Sequence, residues 1–306
     1  MESSSTEVDV DLHPYFRIYK DGRIEKFAKF PYTPPSSEPQ IGVRSKDIQI
    51  SPGLSVRLYL PTAISSDEKL PVIIYTHGGA FVIESAFSPL YHPYVNSLTA
   101  ETKAIVVSIE YRLAPEHPIP ACYDDSWTAF KWVAAHANSG NGPEPWINLH
   151  ADFSRVFLAG DSAGANIAHS TLVRAGETAN EMSVTGMILF HPFFSDGNPN
   201  EVWTYIAPDS IGVDDPRFNP MAHPNLLSSL KCGRVLVFTA DKDVFRDRGL
   251  NYYDALKRSG WGGELELKET EGEGHCFYLE KPDCEKAQVL MQWVVSFIHQ
   301  DHQKEV

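Results

Sequence analysis

The sequence predicts an α/β fold, a mostly parallel central sheet with helices on both faces and a small cap. Three observations carry that expectation. β-rich apolar runs alternate with amphipathic helical patterns, as parallel strands joined by crossover helices require. The 306 residues, 42% hydrophobic and 22% charged, are enough to bury one large core. Near the middle, a turn of unusual composition, Gly160-Asp-Ser-Ala-Gly164, stands between an apolar run and a helical pattern.

Strand candidates are Ser55–Leu60, Val72–Thr76, Ile105–Ile109, Val156–Ala159, Gly186–Phe190, Val235–Thr239 and Leu265–Lys268. Each is a short apolar or β-branched run bounded by polar or turn-forming residues. Helices are expected over Tyr123–Ala137, Ala163–Arg174, Arg248–Lys257 and Glu285–His299. The last shows the 3.6-residue stripe best, with Ala287, Leu290, Met291 and Val294 on one face. Polar or Gly/Pro-rich stretches at Pro34–Gln40, Ala63–Lys69, Asn138–Pro145 and Asp196–Asn200 read as surface connections. Residues 1–306 therefore form one domain. Two segments outside the strand-helix alternation, about 8–30 and 193–229, supply the cap. The first concentrates Leu12, Tyr15, Phe16, Ile18 and Tyr19, and the second is rich in aromatic and loop-forming residues.

Gly160-Asp-Ser-Ala-Gly164 has the G-x-S-x-G form of a nucleophile elbow. A serine hydroxyl is a weak nucleophile at neutral pH, so it must be lifted on a tight strand-to-helix turn to where a base can reach it. Glycines on either side let that turn close without a Cβ clash. Ser162 on its own could equally be an N-cap serine satisfying free amide donors. Upstream, His77-Gly78-Gly79-Ala80-Phe81 follows the run Leu70–Thr76, where a glycine-rich loop can offer backbone N–H groups to a developing oxyanion. Gly78, Gly79 and Ala163 are the expected donors. Downstream, Asp241, Asp243 and Asp247 follow the strand Val235–Thr239, and His275 follows the strand Leu265–Lys268. Propensity does not separate the three aspartates. His275 is one of 12 histidines, and its place after the last predicted strand is what singles it out.

The charge pattern excludes several function classes. Forty acidic against 26 basic residues give a formal charge of −14, which repels phosphate backbones and anionic membrane surfaces. Neither nucleic acid nor membrane is an expected partner, and no apolar run reaches the roughly 18 residues of a spanning helix. The acidic, polar start Met1-Glu-Ser-Ser-Ser has no apolar core behind it, unlike a secretory signal. Cys122, Cys232, Cys276 and Cys284 lack metal-ligand spacing and are too few for a disulfide scaffold, which points to a reducing, cytoplasmic setting.

His77-Gly-Gly, Tyr111-Arg-Leu-Ala-Pro-Glu-His117-Pro, Gly160-Asp-Ser-Ala-Gly-Ala-Asn166, Asp243 and Gly274-His275 together resemble the hormone-sensitive-lipase-like branch of the α/β-hydrolases. Within it the chain is similar to the plant carboxylesterase group, from Ile18-Tyr-Lys-Asp-Gly-Arg-Ile-Glu25 through Glu84-Ser-Ala-Phe-Ser88 to Ser259-Gly-Trp261. That group includes the 2-hydroxyisoflavanone dehydratases, and the gibberellin receptor is a more distant relative. The resemblance implies an α/β-hydrolase fold and the triad Ser162, Asp243 and His275, with Asp243 chosen over its neighbours. It implies hydrolysis of short-chain esters of small soluble molecules through an acyl-enzyme, with no metal or organic cofactor. A small-molecule ester is the expected partner of a monomer or weak homodimer. A dehydratase-like lyase and a hormone receptor are the alternatives, the second disfavoured by His275. The stretch between Phe194 and Tyr205 is shorter than the resemblance leads one to expect, which predicts a shortened helix and a more open pocket.

Overall fold

The computed structural model describes residues 6–36, 42–139, 142–178 and 182–300. Of the expected surface connections, Pro34–Gln40 and Asn138–Pro145 lie partly outside these residues.

β1 (Val8–Leu12), β2 (Phe16–Tyr19) and β3 (Ile24–Lys26) form a small antiparallel sheet of their own. The large sheet comprises β4 (Val43–Ser51), β5 (Leu54–Pro61), β6 (Leu70–Thr76), β7 (Ile105–Glu110), β8 (Ala151–Asp161), β9 (Gly186–Phe190), β10 (Arg234–Ala240) and β11 (Glu264–Thr270). Its order is β11-β10-β9-β8-β6-β7-β5-β4, antiparallel only where β5 meets β4 and β7. Every residue of β6, β9 and β10 is buried. Their sequences accordingly read as unbroken apolar runs, the mark of strands covered on both faces.

The helices are α1 (Tyr91–Thr102), α2 (Ala121–Ser139), α3 (Pro145–His150), α4 (Ala163–Glu177), α5 (Glu201–Ile206), α6 (Pro224–Ser228), α7 (Arg246–Arg258), α8 (Phe277–Glu280) and α9 (Glu285–His299). One face of the sheet packs against α2, α4 and α7 through Phe130, Val133, Ile167, Leu172, Tyr252 and Leu256. The other packs against α1 and α9 through Val95, Leu98, Leu290, Val294 and Phe297. The expected strands all form, and β8 begins five residues earlier than its apolar core suggested. α1 was absent from the sequence pattern because it is buried nearly all round, Tyr91, His92, Tyr94, Val95, Asn96, Leu98 and Thr99 included, and so has no apolar stripe to detect.

This order places the site. The chain runs from β6 out to β7 on one side, then returns to β8 on the other side of β6. Connections leave the carboxyl ends of β6 and β8 in opposite directions and open a crevice there, the usual ligand position in such sheets. His77 follows β6 and Ser162 follows β8 at that crevice, with Thr76 paired to Gly160.

Candidate active site

Ser162 sits between β8 and α4 at φ 52°, ψ −118°. A positive φ in a residue with a Cβ costs of order 1 to 3 kcal/mol and persists only where surrounding contacts enforce it. Here Ser162 N–H donates to Phe190 O at 2.8 Å, and Ser162 O accepts the Phe193 N–H at 3.0 Å. The flanking glycines are required by close approach. A Cβ on Gly160 would lie 2.4 Å from Gly164 O, and one on Gly164 only 2.0 Å from Thr76 O and 2.5 Å from His77 O. All of these are backbone atoms that cannot step aside. Gly164→Ala is therefore expected to destabilise the fold by about 3 kcal/mol or more, read as a large fall in Tm or loss of soluble protein. A wild-type melting curve would contradict this packing.

The loop after β6 is fixed from below. His77 is fully buried, stacks on Tyr111 with ring centroids 4.3 Å apart, and places Nδ1 2.8 Å from Gly78 O. Burial lowers its pKa to about 4, so it is neutral and organises the loop. Tyr111 Oη donates to His77 O at 2.8 Å. Asp161, the residue before the nucleophile, is buried and accepts from Tyr75 Oη at 2.6 Å and Tyr91 Oη at 2.7 Å.

That network corrects the expected oxyanion donors. The Gly78 N–H is already engaged, donating to Tyr91 Oη at 2.8 Å and to Asp161 Oδ1 at 3.1 Å. It points into the protein and is withdrawn from the donor set. Gly79, at φ 101°, lines the cavity with Ser162, and so does Ala80, at φ 53°. Ala80 N–H takes the place of Gly78 beside Gly79 and Ala163 in the donor set we propose.

His275 lies in the loop between β11 and α8, and Asp243 follows β10. Asp243 Oδ2 accepts the His275 Nδ1–H at 2.9 Å, which separates the three aspartates. Asp241 instead pairs with Lys242 at 3.3 Å, and the Asp247 side chain is 82% exposed beside Arg246. Burial would raise the Asp243 pKa, but hydrogen bonds from His191, His275 and the Phe245 N–H outweigh it and hold the carboxyl well below its usual range. His191 escaped the sequence reading. Its only signal is its place directly after β9, at the same sheet edge as the other site segments.

Ser162 and His275 line one cavity of about 280 Å³ together with Gly79 and Ala80. Tyr15, from the turn between β1 and β2, joins Ile83, Leu90, Phe193, Phe245 and Leu279 in its apolar wall. Its charged lining, Asp161, Glu84 and Glu280, is acidic, and burial raises the Glu84 pKa to about 7. Two aromatic residues of the second cap segment, Trp203 and Tyr205, pack away from the cavity. Trp203 stacks on Phe218 at 4.6 Å, and the Tyr205 ring lies 5.7 Å from that of Phe16. Cys276 is buried beside Asp161, and both burial and that carboxylate push its thiol pKa well up, which leaves it unreactive. Arg112 and Asp125 form a two-pronged ion pair away from the cavity, and Glu116 binds Lys26. Among the described residues, His191, Asp243 and His275 form the one cluster with metal-ligand chemistry. Both of its Nδ1 atoms lie within hydrogen-bond distance of Asp243 Oδ2, the arrangement of a carboxylate that orients a base.

Residues 73–279 match the family described as alpha/beta hydrolase fold. The chain is 44% identical over 321 residues to a 2-hydroxyisoflavanone dehydratase of Glycyrrhiza echinata, covering 97% of this chain and 98% of that protein. It is 45% identical over 327 residues to probable carboxylesterase 13 of Arabidopsis thaliana, covering 97% and 99%. Among solved structures it superposes on an esterase from Pyrobaculum calidifontis with a TM-score of 0.66, at 29% identity over 84% of each chain.

Proposed function

The chain belongs to the α/β-hydrolase fold family, in the group that holds plant carboxylesterases and 2-hydroxyisoflavanone dehydratases, and from that membership we propose a serine carboxylesterase acting by acyl transfer to water. The observation that carries the reading is the His275–Asp243 hydrogen bond at 2.9 Å on the cavity that Ser162 lines. With Nδ1–H held by Asp243, His275 presents Nε2 as the base. It takes the Ser162 proton as the oxygen attacks the ester carbonyl. The N–H groups of Gly79, Ala80 and Ala163 receive the oxyanion, and Asp243 stabilises the imidazolium. His275 then protonates the departing alcohol, and a water activated by the same base releases the acid.

The substrate is a short-chain ester of a small soluble molecule, and the chain works as a monomer or weak homodimer in the cytoplasm. The four free cysteines fit a reducing compartment. The segments 8–30 and 193–229 act as the cap, since Tyr15 and Phe193 reach the cavity wall from them. No helix among the described residues is long and apolar enough to cross a membrane. A cavity of about 280 Å³ is small for a ligand pocket. Acetyl to butyryl p-nitrophenyl esters are expected to exceed decanoyl esters in kcat/KM by about tenfold or more, since the cavity cannot bury the longer chain. Anionic succinyl esters should also be poor, because the charged lining is acidic. A rate that peaks on long chains and jumps at the solubility limit would make the protein a lipase.

A lyase is the second reading, favoured by the 44% identity to a dehydratase. Assaying purified protein on p-nitrophenyl butyrate beside a 2-hydroxyisoflavanone decides between them. Efficient dehydration with negligible ester cleavage would put the lyase first.

A further inference from the structure

Asp243 holds a second histidine. His191 Nδ1 donates to Asp243 Oδ2 at 2.7 Å, and His275 Nδ1 reaches the same oxygen at 2.9 Å. The other oxygen, Oδ1, accepts the Phe245 N–H at 2.8 Å. An ionised carboxylate only accepts, so both imidazoles carry a proton on Nδ1. The His191 side chain is 0% exposed and its Nε2 has no hydrogen-bond partner, so it neither meets substrate nor passes a proton to solvent. Burial lowers its pKa against the pull of Asp243, which leaves it neutral. That neutrality matters. A cation at this place would cancel the charge that stabilises the His275 imidazolium, whereas a neutral N–H orients the carboxylate and leaves its charge intact.

His191 is also held in an unfavourable backbone conformation, φ 47°, with its N–H bonded to Phe238 O at 2.9 Å. Its ring meets that of His275 edge-on at 5.7 Å and lies 6.0 Å from Tyr278. We propose that His191 is a positioning residue of the hydrolytic site, acting through Asp243 to fix the carboxylate in the orientation that receives the His275 N–H. Its kinetic consequence rests on the esterase reading, and its effect on His275 does not.

Other ionisable groups face this pair from every side. Asp161 interacts with His275 from the end of β8, and Cys276 and Arg248 interact with Asp243 from the start of α8 and from α7. Tyr278 packs on His191, and Glu84 and Glu280 line the cavity. None of these side chains hydrogen-bonds the Asp243 carboxylate among the described residues, so none replaces the lost donor. Removing His191 leaves more negative charge density on Oδ2, which then holds the His275 proton more tightly. The ascending limb of the pH–rate profile moves to higher pH.

Two variants and one spectrum test this. His191→Ala is expected to lower kcat about tenfold, with KM within about twofold, and to shift the limb upward. His191→Asn tolerates the positive φ and keeps an N–H near the place of Nδ1, so it restores most of the loss. In an Asp243→Asn background, His191→Ala should cost nothing further, because the carboxylate it acts through is gone. NMR of the wild-type imidazoles needs no substrate and no variant. It should show His191 neutral and protonated on Nδ1 at neutral pH. A wild-type protein without ester cleavage would count against the esterase reading alone, while the protonation site of His191 still decides its role. An unmoved limb, an equal loss in the Asp243→Asn background, or a His191 that is cationic at neutral pH or carries its proton on Nε2 overturns the proposal.

Discussion

Ser162→Ala is expected to lose on the order of 10⁴ to 10⁶ in ester turnover and to lose all labelling by a fluorophosphonate probe. The effect is large because the nucleophile is irreplaceable in the elbow. The positive φ at Ser162 aims its side chain at the cavity shared with His275. Cys276, the nearby thiol, is kept protonated by burial and by Asp161, so it cannot substitute. The fold should not suffer, since the Ser162 backbone hydrogen bonds to Phe190 and Phe193 remain. Tm is therefore the control, and mass spectrometry of the probe-labelled wild-type peptide names the acylated residue. Labelling that survives in Ser162→Ala would sink the assignment.

The sheet and the positions of Ser162 and His275 could be read from the sequence because each depends on local pattern, whereas Asp243 was set apart from Asp241 and Asp247 only by the family resemblance until its contact with His275 was seen. Buried parallel strands are continuous apolar runs, and the site residues follow their carboxyl ends. What could not be read depends on contacts between distant segments. Gly78 looks as free to donate as Gly79 in the sequence, yet its N–H is taken by Tyr91 from α1, a helix whose all-round burial hides it. Asp161 occupies an unrestricted position of G-x-S-x-G, and only the fold brings Tyr75 and Tyr91 to it. His191 likewise gains meaning only when β9 and β10 align their ends, which puts it 2.7 Å from an aspartate 52 residues away.

Asp243→Asn should reduce kcat/KM on p-nitrophenyl butyrate by on the order of 10⁴ while leaving Tm close to wild type. The amide can donate as well as accept. If its NH₂ group faces His275, the imidazole must carry its proton on Nε2, the atom that has to accept from Ser162, and the base is lost. If its oxygen faces His275 instead, the orientation survives but no charge remains to stabilise the imidazolium. The His191 N–H favours an oxygen beside it, but His275 competes for the same atom, since both histidines use Oδ2. Both outcomes remove transition-state stabilisation. Asp241→Asn and Asp247→Asn carry no such penalty, because Asp241 receives the Gly272 N–H beside Lys242 and Asp247 projects into solvent. Their rates should stay within a few-fold of wild type, as for surface charges elsewhere. An inactive Asp247→Asn beside an active Asp243→Asn would mean that the carboxylate at 2.9 Å from His275 is not the one the reaction uses.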